Sequence, residues 1–152
     1  MKKFLALCLV LCCLFSMSAC SKDEIVERYN EALQAVGDNN LTSDRKLQGD
    51  REFGEDSYVG TYQSEYDDFS GKEIIFGGTS LERDSGNEVN ISCNLNIEDG
   101  SIQLLLQTGD NDPQVLCDSI GEYSETIELP SASNYFIVQA ENFTGSIKLT
   151  IE

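Results

Sequence analysis

From residue 56 onward the chain alternates apolar and polar positions in short runs, and turn-forming residues interrupt these runs at intervals of eight to twelve positions. The clearest run covers residues 88–98, where Val89, Ile91, Cys93, Leu95 and Ile97 interleave with Asn90, Ser92, Asn94 and Asn96. Successive side chains on a strand point to opposite faces, so one face of this segment is apolar and the other carries amides and a hydroxyl. Asp99-Gly100 follows, and such a pair between alternating runs predicts a two-residue hairpin turn. In that register Ile97, Leu95 and Cys93 face Ile102, Leu104 and Leu106 on a returning strand at 101–108. Further strands are predicted at residues 58–66, 72–76, 114–118, 123–129, 135–140 and 146–151. Roughly eight short strands with no helix between them predict a mainly β fold, an antiparallel β-sandwich of jelly-roll-like form.

Ahead of this domain the periodicity is helical. Ser21-Lys22-Asp23-Glu24 has the form of a capping box, and Ile25, Val26, Tyr29, Ala32, Leu33 and Val36 recur on one face of a 3.6-residue repeat. Gly37 stands where a helix stops. One short amphipathic helix is therefore expected over residues 22–36. Its polar face, with Glu27, Arg28 and Glu31, lacks the basic flank of a helix lying on lipid. Residues 38–55 are polar and read as a tether, with room for a short edge strand near 47–53.

The chain begins with Lys2 and Lys3, then an apolar run over residues 4–17, then Ser18-Ala19-Cys20. That run is shorter than the ~20 residues a membrane-spanning helix needs, and the three zones match a signal peptide. Cleavage after Ala19 by general signal peptidase would put bulky Met17 where a small residue is required. Met17-Ser18-Ala19-Cys20 instead resembles the lipobox of bacterial lipoproteins, departing from it at Met17, where leucine is usual. The resemblance implies a diacylglycerol thioether on Cys20, which becomes the first residue, and a membrane anchor made of acyl chains. The expected organisation is a signal peptide at 1–19, a lipidated cysteine with helix and tether at 20–55, and the β domain at 56–152.

Charge narrows the partners. The formal net charge is −17, and removing residues 1–19 with Lys2 and Lys3 leaves 8 basic groups against 27 acidic, or −19. Phosphate backbones and anionic lipid surfaces both call for the opposite sign, so no nucleic-acid partner is expected. There is no histidine, which removes Ser-His-Asp and Cys-His nucleophile arrangements and His-bearing zinc sites. No cofactor and no metal are expected, and the chain reads as a non-enzyme. Paired carboxylates could in principle cleave a glycoside. Among 27 acids, however, no pair stands out by spacing.

Three features could still carry binding. Tyr58, Tyr62 and Tyr66 share one strand face and could stack on sugar rings, although Thr61, Gln63 and Glu65 opposite them suggest that the tyrosines point inward. Asp110-Asn111-Asp112 and Asp67-Asp68 offer hard oxygen ligands without the spacing of a calcium loop. Cys93 and Cys117 are the cysteines left beyond Cys20. In a simple meander the strand at 101–108 would hold them about 9.6 Å apart, beyond the ~7 Å limit of a disulfide. A bridge would require the chain to change sheets or the strands to curl. A faint echo also links Gln63-Ser64-Glu65 and Phe69-Ser70-Gly71 to Gln139-Ala140-Glu141 and Phe143-Thr144-Gly145.

Residues 58–80, including Tyr58-Val59-Gly60-Thr61-Tyr62-Gln63 and Glu73-Ile74-Ile75-Phe76-Gly77-Gly78, together with Asn142-Phe143-Thr144-Gly145, resemble small lipoproteins of Gram-positive bacteria. The resemblance implies a sandwich on the outer face of the cytoplasmic membrane and brings no catalytic residues. Three functions follow as expectations. The first is a surface-displayed binding module for a glycan, wall polymer or protein. The second is an accessory subunit of an envelope complex, docked through Ile25, Tyr29 and Leu33. The last, with least behind it, is a carboxylate-based glycan hydrolase.

Overall fold

The computed structural model describes residues 40–79 and 82–152. The expected signal peptide, Cys20 and the helix at 22–36 lie outside the described residues. After a 3-10 turn at Asp44–Lys46 come β1 (Asp50–Phe53), β2 (Gly60–Gly78), β3 (Glu88–Thr108), β4 (Gln114–Cys117), β5 (Gly121–Glu128) and β6 (Asn134–Ile151). All pairings are antiparallel, in the order β1-β2-β6-β3-β4, with β5 added to β3.

Three strands are too long for one flat layer. β2, β3 and β6 have 19, 21 and 18 residues, where a strand usually has about 5–6. Each bends near its middle. The ladder is irregular between Tyr66 and Gly71 on β2 and between Ile97 and Ser101 on β3, and there Asp68, Asn142 and Gly100 take φ of 48°, 46° and 72°. Because the bends are register neighbours, the whole sheet folds over on itself. The first layer holds β1, the start of β2, the end of β6, the start of β3, and β5. The second holds the end of β2, the start of β6, the end of β3, and β4. Apolar side chains from both layers meet in one core, with Tyr62, Phe76, Ile91, Leu95, Leu104, Phe136, Phe143, Ile147 and Leu149 buried. The fold is mainly β and sandwich-like.

The expected hairpin at Asp99-Gly100 does not form. β3 continues through Gly100, and both of its halves pair with β6 instead of with each other. The two apolar runs still oppose one another, but from facing layers and not along one ladder. An apolar-on-apolar register is met equally well either way, so residues 88–108 alone cannot choose. The choice belongs to β6, far along the chain.

The segment read as a tether is, from Asn40 on, part of the body, which moves the expected boundary at residue 55. Thr42 exchanges bonds with Ile74, its N–H donating to the Ile74 carbonyl at 3.0 Å and its Oγ1 accepting from the Ile74 N–H at 2.8 Å. Arg51 donates to the carbonyls of Ile75 and Thr42, both at 2.9 Å, and to Asp44 at 2.5 Å. Polar composition hid this attachment because backbone groups, the Thr42 hydroxyl and one guanidinium supply most of it, with only Leu47 and Phe53 adding scattered apolar contacts. The short edge strand foreseen there is β1.

The outer faces differ. On the second layer Ile74, Ile137 and Leu105 stand in one register row, whereas the outer face of the first layer is polar throughout.

Candidate functional site

The tyrosines proposed for stacking are interior. Tyr58, Tyr62 and Tyr66 are 1%, 0% and 4% exposed, so none offers a ring to a ligand. Tyr58 lies in the turn before β2 and not on the strand, whereas strand alternation turns Tyr62 and Tyr66 toward the core, where their hydroxyls need partners. The Tyr62 and Tyr66 hydroxyls lie 3.0 Å apart and reach Oε2 of Glu73, on the facing layer, at 3.0 and 2.6 Å. The other carboxyl oxygen of Glu73 accepts the Gln48 N–H at 2.6 Å. Burial first, and then this carboxyl partner among its neighbours, raises the phenol of Tyr62 to about 12 and that of Tyr66 further. The cluster ties the two layers together and holds the segment before β1 against them.

Turning Tyr62 and Tyr66 inward places Thr61, Gln63 and Glu65 on the solvent side. The same alternation exposes Ser92, Asn94 and Asn96 on β3, and Ser146, Lys148 and Thr150 on β6. Registration then aligns these side chains across the layer. One row runs Asp50, Gln63, Lys148, Asn94, Glu122 over β1, β2, β6, β3 and β5. A second runs Glu52, Thr61, Thr150, Ser92, Ser124 over the same strands. Four interstrand steps make each row roughly 19 Å long. An open groove of about 930 Å³ lies along them, lined among others by Asp50, Gln63, Asn94, Glu122 and Lys148.

The chemistry of this face is regular. Amides and hydroxyls fill its centre, each able to donate and accept. Carboxylates of Asp50 and Glu122 close the first row at its ends. Lys148 is central, and among the described residues it has no ion-pair partner within 4.0 Å. No aromatic ring projects from these rows, so ring stacking is not available here. Such a surface can hold a polyhydroxylated ligand by edge-on hydrogen bonds.

The acidic turns show no cation site. Asp110 and Asp112 are exposed in the turn after β3, where the Gln107 amide bonds the carbonyls of Gly109 and Asn111. Among the described residues no three Asp, Glu or Cys side chains converge as a metal site would require. Also among the described residues, no helix is long and apolar enough to cross a membrane. Cys93 and Cys117 are both buried.

No protein-family model matches the sequence, and no curated protein matches it. Among solved structures, the chain is similar to the crystallographic structure of the CBM22-1–GH10 modules of the Clostridium thermocellum endo-1,4-β-D-xylanase 10B complexed with xylohexaose. Identity is 14% and the TM-score 0.35, over 70% of this chain. The chain spans 28% of the length of that protein.

The polar rows were not singled out from the sequence, although every residue in them was visible as the polar half of an alternating run. What sequence lacked was the strand order, which puts Gln63 beside Lys148 and Lys148 beside Asn94.

Proposed function

We propose that the chain is a lipid-anchored, extracytoplasmic binding module on a jelly-roll β-sandwich, and that it holds a neutral glycan along the polar rows of its first layer. The order of strand halves supports the jelly-roll form, since every long strand contributes one half to each layer. Lipidation of Cys20 rests on Met17-Ser18-Ala19-Cys20 after a charged and apolar leader.

The observation that carries the binding reading is the first row, Gln63–Lys148–Asn94, seated on paired strands and bounded by Asp50 and Glu122. Sites on strands hold geometry better than sites on loops, so less freedom is lost when a ligand binds. Acids at both ends and a net charge of −17 disfavour a polyanion. A neutral sugar chain meets no such penalty.

The test is titration calorimetry of the mature protein against a panel of soluble neutral and anionic glycans. Saturable binding to a neutral member, lost in Gln63→Ala with folding intact, supports the reading. A flat response across the panel rejects it. Mass spectrometry of the mature N-terminus tests the anchor separately, and an unmodified Cys20 rejects that part.

A further inference from the structure

The fold-over that cancels the hairpin also brings two distant thiols together. Cys93 lies on the inward face of the first layer, 1% exposed, with Leu149 and Tyr123 as its register neighbours. Cys117 is the last residue of β4, on the edge of the second layer opposite Leu104, and is 8% exposed. Immediately after it, residues 118–120 carry the chain over to β5, so Cys117 occupies the corner where the layers close. Both thiols belong to one core cluster there, since Cys93 stands opposite Tyr123 on the strand that begins four residues after Cys117, and Cys117 points its S–H toward the Ser119 carbonyl at 3.9 Å. The 9.6 Å spacing of a meander no longer applies, because the strand at 101–108 lies in the other layer and not between them.

We propose that Cys93 and Cys117 form a disulfide that staples the two layers at this corner when the protein meets a disulfide oxidant, either a small-molecule disulfide or a protein dithiol oxidant. The corner is where such a link matters most, since β4 is held to β3 by only three register pairs. The reaction is two exchanges. The Cys117 thiol, the more exposed, loses its proton and attacks the oxidant disulfide, forming a mixed disulfide and expelling one thiolate. Cys93 then loses its proton and attacks the Cys117 sulfur, expelling the second thiolate. Two electrons pass to the oxidant, whose two sulfurs leave as thiols carrying the two protons. Burial raises the Cys93 thiol to about 12, which keeps it protonated and leaves the first attack to Cys117.

The experiment uses full-length chain made in an exporting bacterium, lysed in denaturant with N-ethylmaleimide and digested before reduction. The expected result is one peptide pair joined through Cys93 and Cys117, lighter by two hydrogen atoms than the separate thiol peptides. Reducing the intact protein should also lower its melting midpoint by on the order of 10 °C, with no such drop in Cys117→Ala. If both thiols carry the maleimide, the folded reduced protein is given oxidised glutathione. Closure there upholds the proposal and shifts the fault to the expected export, which the state of Cys20 in the same digest reports. Two thiols still free after that treatment, or a glutathione adduct stalled on Cys117, overturn it.

Discussion

Asp68 and Asn142 stand on neighbouring strands in the same left-handed conformation, at φ 48° and 46°, and each bonds the segment that follows the other. The Asp68 N–H donates to Thr144 Oγ1 at 3.1 Å, and the Asn142 N–H donates to Ser70 Oγ at 2.7 Å. Phe69 and Phe143, one residue on, are register partners. The echo between Phe69-Ser70-Gly71 and Phe143-Thr144-Gly145 therefore lies at two corners that clasp each other, with Asp68 and Asn142 just ahead of it. Asp and Asn tolerate this conformation better than other non-glycine residues, and the hydroxyl two positions on supplies the acceptor.

The third bend tests that account. Gly100 has φ 72°, and a Cβ there would sit 2.1 Å from the Asn142 carbonyl oxygen. Gly100→Ala should cost about 3 kcal/mol or more, since strain and a backbone clash add. Asn142→Gly should stay within about 1 kcal/mol of the parent, whereas Asn142→Val should lose roughly 1–2 kcal/mol. Urea denaturation gives all three. A harmless Gly100→Ala would mean that β3 does not bend there.

The Glu73 cluster makes a second, separate demand on stability. Glu73 is 2% exposed and receives Tyr62, Tyr66 and the Gln48 N–H. Tyr66→Phe removes one donor and should cost about 1–2 kcal/mol; Glu73→Leu leaves three donors without their acceptor and should cost about 3 kcal/mol. The double variant should lose less than the sum, because the donor orphaned by the second change is already gone in the first. Simple additivity in chemical denaturation would show that the residues do not act as one network.

Much of this architecture was legible from alternation alone. All eight of the predicted segments coincide with halves of long strands or with β4 and β5, because period-two burial fixes which residues face the core. The inward reading of Tyr62 and Tyr66 followed from Thr61, Gln63 and Glu65 between them. Three things were not legible, each for a physical reason. Gly100 as a bend and Gly100 as a hairpin bury the same side chains. The attachment of residues 40–53 is made mostly by backbone groups, Thr42 and Arg51, and its apolar contacts, Leu47 and Phe53, are too few to leave a hydrophobic pattern. The rows of the candidate site depend on β6 lying between β2 and β3, a long-range pairing that no local run encodes.

Alkali should unfold the domain from within. Tyr62 has its phenol raised from 10.0 to about 12, Tyr66 is raised further and, in the reduced protein, Cys93 goes from 9.0 to about 12, in each case chiefly through burial. These groups are neutral in the folded chain at pH values where the unfolded chain has already lost their protons. The unfolded state then binds fewer protons, so stability falls with rising pH. Their contribution is fully present below pH 9 and lost as pH climbs from about 9 toward 12. Melting midpoints across that range should decline steadily, with tyrosinate absorbance of the buried phenols appearing only on unfolding. Early tyrosinate absorbance from all six tyrosines in folded protein would contradict the burial of Tyr62 and Tyr66.

The polar rows can be separated from the tyrosines by where each substitution acts. Gln63 and Asn94 flank Lys148 on the solvent side, so Gln63→Ala and Asn94→Ala should each weaken glycan binding by roughly five- to tenfold, the worth of about one hydrogen bond. Their melting midpoints should hardly move, because exposed substitutions change stability by about 0.5 kcal/mol at most. Tyr66→Phe should do the reverse, lowering stability while sparing affinity. Salt supplies the independent check. Binding of a neutral chain should be nearly constant between low and physiological ionic strength, since no charge pair is being screened. If affinity instead drops steeply with salt and follows Lys148→Gln alone, the ligand is an anion held by the ammonium and the amide rows are bystanders. If Gln63→Ala and Asn94→Ala bind as the parent does, the groove is merely a solvated face.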